Sequence, residues 1–65
     1  MSYATSELSA VAETVQRCME RVSAIANSET KLREDVLAAV YEAERGLLSA
    51  HRLVLRAAKQ SSLAD

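Results

Sequence analysis

Proline is absent from this chain, glycine occurs once (Gly46), and neither phenylalanine nor tryptophan is present. Strand-rich folds draw on turn-forming Gly and Pro and on aromatic residues, so a β-sandwich or barrel is excluded. Tyr3 and Tyr41 are the only aromatics, too few for platforms on which nucleic-acid bases stack. One cysteine, Cys18, cannot close an internal disulfide, and with the single histidine, His51, it leaves too few ligands for a structural zinc site. The net charge of −1 supplies no overall field toward nucleic acid or an anionic membrane. No apolar run approaches the length of a transmembrane span. The first seven residues lack the basic and apolar regions of a signal peptide, so a reducing cytoplasm is the expected compartment.

Ala, Leu, Glu, Arg and Ser dominate, and hydrophobic residues at 49% against charged residues at 26% give a folding rather than a disordered balance. The expected class is all-α. With 65 residues the chain forms at most one small domain. A domain this small hides only about 60% of its unfolded surface and commonly needs a staple: disulfides, a metal or oligomerisation. The cysteine and histidine counts remove the first two, which leaves another protein chain.

Leu8, Val11, Val15, Cys18, Val22 and Ile25 recur at alternating spacings of three and four, the seam of a heptad-patterned helix over residues 6–26. Ala12, Met19 and Ala26 widen that stripe. Thr5 is the expected N-cap, with Ser2 as the alternative. Asn27, Ser28, Glu29 and Thr30 form the chain's one break. Asn tolerates the left-handed conformation that ends a helix, and Ser28 is placed to cap a second helix with Glu29 in its first turn. The heptad register also shifts across the break, as a chain that turns back requires. The second helix is expected over 29–60, with residues 61–65 a frayed tail. The predicted fold is a two-helix antiparallel hairpin that completes a helical bundle by associating with another chain.

Helix 2 divides into three faces. A solvated arc carries Lys31, Glu34, Asp35, Glu42, Arg45, Ser49, Arg52, Arg56 and Lys59. A stripe of small residues holds Ala39, Ala43, Gly46, Ala50 and Ala57. A stripe of large residues holds Leu37, Tyr41, Leu48 and Leu55, with Val40, Leu47 and Val54 between the two stripes. The apolar arc spans roughly 240°, where a lone hairpin needs a stripe of about 100°. Small residues let helices approach closely, so the Ala/Gly stripe is the expected seat of helix 1 and the large stripe is left for a partner. At 1.5 Å per residue helix 2 outruns helix 1, about 48 Å against about 32 Å. A turn at 27–29 pairs residues whose numbers sum to about 57. Leu53, Val54, Leu55, Ala57 and Ala58 then overhang the start of helix 1.

The candidate partner interface is therefore Leu37, Tyr41, Glu44, Leu48, His51, Val54, Leu55 and Ala58. In an antiparallel pair of second helices whose residue numbers sum to about 95, Glu44 faces His51 of the other copy twice and sets the register. The plainer reading has both as rim residues with their tips in water. Cys18 reads first as a small buried hydrophobe and only second as a redox group. Arg45, Arg52, Arg56 and Lys59 form a basic strip. Glu42 and Asp35 continue the same arc, and cations near a helix C-terminus complement its dipole, so a solvated face is favoured over a nucleic-acid contact.

No paired-carboxylate cleft, Ser–His–Asp set, Gly-rich phosphate loop or metal-ligand spacing is present, so no enzyme, no cofactor, no metal and no small-molecule substrate are expected. The leading functional expectation is a structural, adaptor or regulatory hairpin that self-associates into an antiparallel four-helix bundle. The alternative is a small heteromeric chaperone or inhibitor subunit that covers a hydrophobic helical partner. In size and layout the chain resembles the small hairpin co-chaperones of bacterial type III secretion needles. Length and architecture carry that resemblance, and no residue role is transferred by it. A Rop-like nucleic-acid-binding bundle is a third class, disfavoured by the weak charge.

Overall fold

The computed structural model describes residues 2–28 and 31–64. Two helices, α1 (Tyr3–Ala26) and α2 (Glu34–Ala64), pack against each other as an antiparallel hairpin, and the described residues contain no strand. The hairpin is one helix thick, with extents of 48 × 15 × 11 Å. Its radius of gyration is 14.9 Å, against about 10.7 Å for a compact chain of this length.

Each helix presents a seam to the other. On α1 the covered positions are Thr5, Leu8, Ala12, Val15, Met19, Val22 and Ala26, at alternating spacings of three and four. On α2 they are Leu37, Val40, Glu44, Leu47, His51, Val54, Ala58 and Ser61. The α1 seam differs from the expected one. Ala12, Met19 and Ala26 are central to it, while Val11 and Ile25 lie outside it and Cys18 sits half-buried on its flank. Among the described residues Ala12 is the one buried hydrophobic side chain, 3% exposed. The expected docking of α1 onto the Ala/Gly stripe of α2 does not occur: Ala39, Ala43, Gly46 and Ala50 are exposed. The small residues that permit close approach come instead from α1, at Ala12 and Ala26. The centre of α2's apolar arc, Val40, Leu47 and Val54, lies against them.

The helix ends correct several boundaries. Ser2, not Thr5, is the N-cap of α1. It is extended (φ −73°, ψ 163°), and its Oγ accepts from the Thr5 backbone N–H at 3.1 Å. Thr5 is freed for a different role. Its hydroxyl is buried and hydrogen-bonded to Ser2 at 2.9 Å and to Ser61 at 2.8 Å, tying the end of α2 to the start of α1. Residues 61–64 belong to α2, and Asp65 lies outside the described residues. Asn27 ends α1 without a left-handed residue (φ −99°, ψ 9°). Its backbone and side-chain N–H groups both donate to the Ser23 carbonyl at 3.0 Å.

The second helix begins at Glu34, not 29, so Ser28 does not cap it. The expected first-turn position of Glu29, with Thr30, lies outside the described residues. Glu34 and Asp35 occupy the first turn, where negative charge meets the positive end of the helix dipole. Arg33 pairs with the Asp35 carboxylate at 3.0 Å. The longer crossover changes the register. Thr5 opposite Ser61 sets paired numbers to a sum of about 66 instead of about 57. The expected overhang of Leu53, Val54, Leu55, Ala57 and Ala58 therefore does not exist, because α1 runs beside them.

Thr5→Val keeps the shape of the side chain and removes the hydroxyl contacts to Ser2 and Ser61 at a buried site. It is expected to lower stability by about 1–2 kcal/mol. Thermal unfolding monitored by circular dichroism should show the midpoint fall by several degrees, and an unchanged midpoint would remove the hydroxyl latch as a stabilising feature.

Candidate interaction surface

A single-layer hairpin has two broad faces, and here one is apolar on α2 alone and the other on both helices. On one, α2 contributes Tyr41, Leu48 and Leu55 at seven-residue spacing. Beside them α1 contributes the polar Ser9, Gln16 and Ser23, also seven apart. A hollow of about 460 Å³ lies between Gln16, Met19 and Ser23 on one side and Tyr41, Glu44 and Leu48 on the other. Tyr41 and Leu55 are each 48% exposed.

On the opposite face, both helices contribute apolar rows. A second hollow of about 460 Å³ is lined by Val22 and Ile25 of α1 and by Val36, Ala39, Val40 and Ala43 of α2, with Asp35 at its rim. Helical periodicity extends that face along the whole hairpin: Val11 and Cys18 share the side of Ile25, and Gly46, Ala50 and Leu53 share the side of Ala39 and Ala43. Gly46 is open, since a Cβ built there would meet nothing within 4 Å. Ile25 and Leu53 are 49% and 55% exposed.

The eight expected interface residues divide between these environments. Tyr41, Leu48 and Leu55 stand exposed on the first face. Leu37, Glu44, His51, Val54 and Ala58 are half-buried in the chain's own seam. Glu44 and His51 are thus partly covered by α1, and each also lines a hollow on the Tyr41 face. Val11, Ile25 and Val36 are exposed apolar residues that sequence reasoning did not place at a surface, while Leu53, expected in an overhang, is exposed although α1 runs beside it. The available signal was a second heptad row on α2 (36, 39, 43, 46, 50, 53, 57), interleaved with the row that packs on α1.

Arg45, Arg52, Arg56 and Lys59 are exposed on the outer side of α2, and Arg45 pairs with Glu42 one turn earlier. Among the described residues no helix is long and apolar enough to cross a membrane. Compared with models of protein families, with curated proteins and with solved structures, the chain matches none.

Proposed function

We propose that this chain is a non-catalytic protein–protein interaction module: a helical hairpin that self-associates into an antiparallel four-helix bundle in a structural, adaptor or regulatory role. The observation that carries the reading is the surface left over. The hairpin exposes 5023 Å², whereas a compact monomer of its mass exposes about 4,100 Å². The excess, about 900 Å² per chain, is close to the roughly 800 Å² per partner that a stable protein–protein interface covers. Nine large hydrophobic side chains contribute to it. Exposed apolar patches larger than a few hundred Å² mark interaction sites or aggregation liabilities, and contact with another chain removes them from water. We place the protein in the cytoplasm, where a free thiol such as Cys18 stays reduced.

Sedimentation equilibrium should give twice the chain mass at micromolar concentration. If folding and association are one equilibrium, the unfolding midpoint should rise by about 5 °C for each tenfold increase in chain concentration. A monomer whose midpoint ignores concentration would overturn the reading. A second reading rests on the Tyr41–Leu48–Leu55 row: a heteromeric chaperone or inhibitor subunit that lays this row against an apolar helix of a different protein. A chain that is partly helical alone and gains full helicity only with that partner would favour it.

A further inference from the structure

We propose that a second copy of this chain docks on the face built from Val11, Ile25, Val36 and Leu53, with the two-fold axis passing beside Cys18 and Leu48. This rests on the self-association reading above and adds the face, the register and the axis. Three independent features agree on them.

The first is the apolar pattern of α2. The row at 36, 39, 43, 46, 50, 53 and 57, exposed except for the half-buried Ala57, is a second heptad seam. When two such rows run antiparallel with residue numbers summing to about 96, the large Leu53 meets a small residue, while Val36 falls beside Gln60 at the end of the row. Leu53 falls opposite Ala43, Gly46 opposite Ala50, and Ala39 opposite Ala57. Knobs and hollows then alternate, and the open space at Gly46 is filled by the other copy.

The second is charge. Flanking positions, whose numbers sum to about 98, pair Glu42 of one copy, already beside Arg45 of its own chain, with Arg56 of the other, twice by symmetry. Both side chains are exposed and outside the hairpin's own seam. Ser49 meets its own copy at the axis. No like-charged pair falls on this edge.

The third is α1, which was not used to set the register. Thr5 opposite Ser61 places Cys18 level with Leu48. The axis chosen on α2 therefore crosses α1 at Cys18, and the row at seven-residue spacing closes on itself: Cys18 meets Cys18, and Val11 meets Ile25. One axis makes both helices self-complementary, which an arbitrary register would not do. It also lies near the middle of the 48 Å hairpin, so the overlap is nearly complete. The area left over per chain is close to the roughly 800 Å² per partner that a stable interface covers. The tyrosine face lacks this property, because its α1 row is polar (Ser9, Gln16, Ser23).

The experiment uses the full chain. In a Cys18→Ala background, Ser49→Cys puts a thiol at the exposed rim beside the axis, and Ser23→Cys puts one on the opposite face. With a short bis-maleimide, the Ser49→Cys chain should form a covalent dimer and the Ser23→Cys chain should not. Glu42→Arg should raise the dimer dissociation constant by about tenfold. The double variant Glu42→Arg/Arg56→Glu should restore it to within about threefold. Gly46→Leu removes a helix-weakening glycine at a site with free space, so the hairpin still folds, yet it should abolish the dimer. Tyr41→Ser should leave the dimer intact.

A dimer that crosslinks through Ser23→Cys, or that survives Gly46→Leu, overturns this face while the self-association reading stands. A monomeric wild-type chain overturns both.

Discussion

A chain carrying Ala12→Glu is expected to lose its cooperative helical fold. Ala12 is 3% exposed, the most covered hydrophobic residue, and it lies where α1 comes against the middle of α2's apolar arc. A glutamate there must either hold its carboxylate in the seam or push the helices apart. An ionised group left unpaired in such a site costs several kcal/mol. A core in a domain of this size rarely supplies more than about 3–5 kcal/mol in total. The substitution therefore removes most or all of the available stability. Far-UV circular dichroism should show a large loss of helix and no sharp thermal transition. Retention of a wild-type melt would mean that Ala12 is not where the helices meet closely. The neighbouring Val11→Glu is the control. Val11 is 43% exposed, so helix should persist even where association does not.

The second large effect concerns assembly. Ile25→Glu together with Leu53→Glu places two charges per chain, four per dimer, on the face proposed to receive a second copy. Both residues are about half exposed in the hairpin, so the hairpin's own seam is untouched. In the assembly they would sit at well-packed positions, where removing an anchor commonly costs about 2 kcal/mol or more. The dissociation constant is expected to rise at least a thousandfold, on the order of 4 kcal/mol. Sedimentation of the variant should give the single-chain mass across the micromolar range. An undiminished dimer would move the interface to the Tyr41 face.

Much of this architecture was legible from composition and periodicity. The absence of Pro, the single Gly and the two heptad-patterned segments are sufficient for two helices, and the polar cluster after Ala26 is sufficient for a turn. What was not legible follows from one property of α2. Its apolar arc is so wide that three adjacent seams are available, and a helical wheel cannot say which one the partner helix takes. The choice was made by α1, whose Ala12 and Ala26 admit the large residues of α2, leaving the Ala/Gly stripe outside. The register was hidden for a related reason. The turn has no residue that forces a tight reversal, so the crossover runs on through Arg33. The tie between Thr5 and Ser61 that reports the final alignment joins two residues that look like ordinary caps and tail in the sequence.

The hairpin's being one helix thick has a consequence for how the assembly would meet other molecules. Stacking two copies on the small-residue side turns the Tyr41–Leu48–Leu55 rows outward, one on each side of the four-helix slab and related by the same axis. Each assembled particle is then bivalent. A partner that recognises the row with modest strength at one copy, and that is itself repeated or tethered, gains from the high effective concentration at the second and holds on by avidity, often 10²–10⁴ times more tightly than a single contact. In that arrangement the thinness of the monomer becomes a means of clustering whatever the outer rows bind.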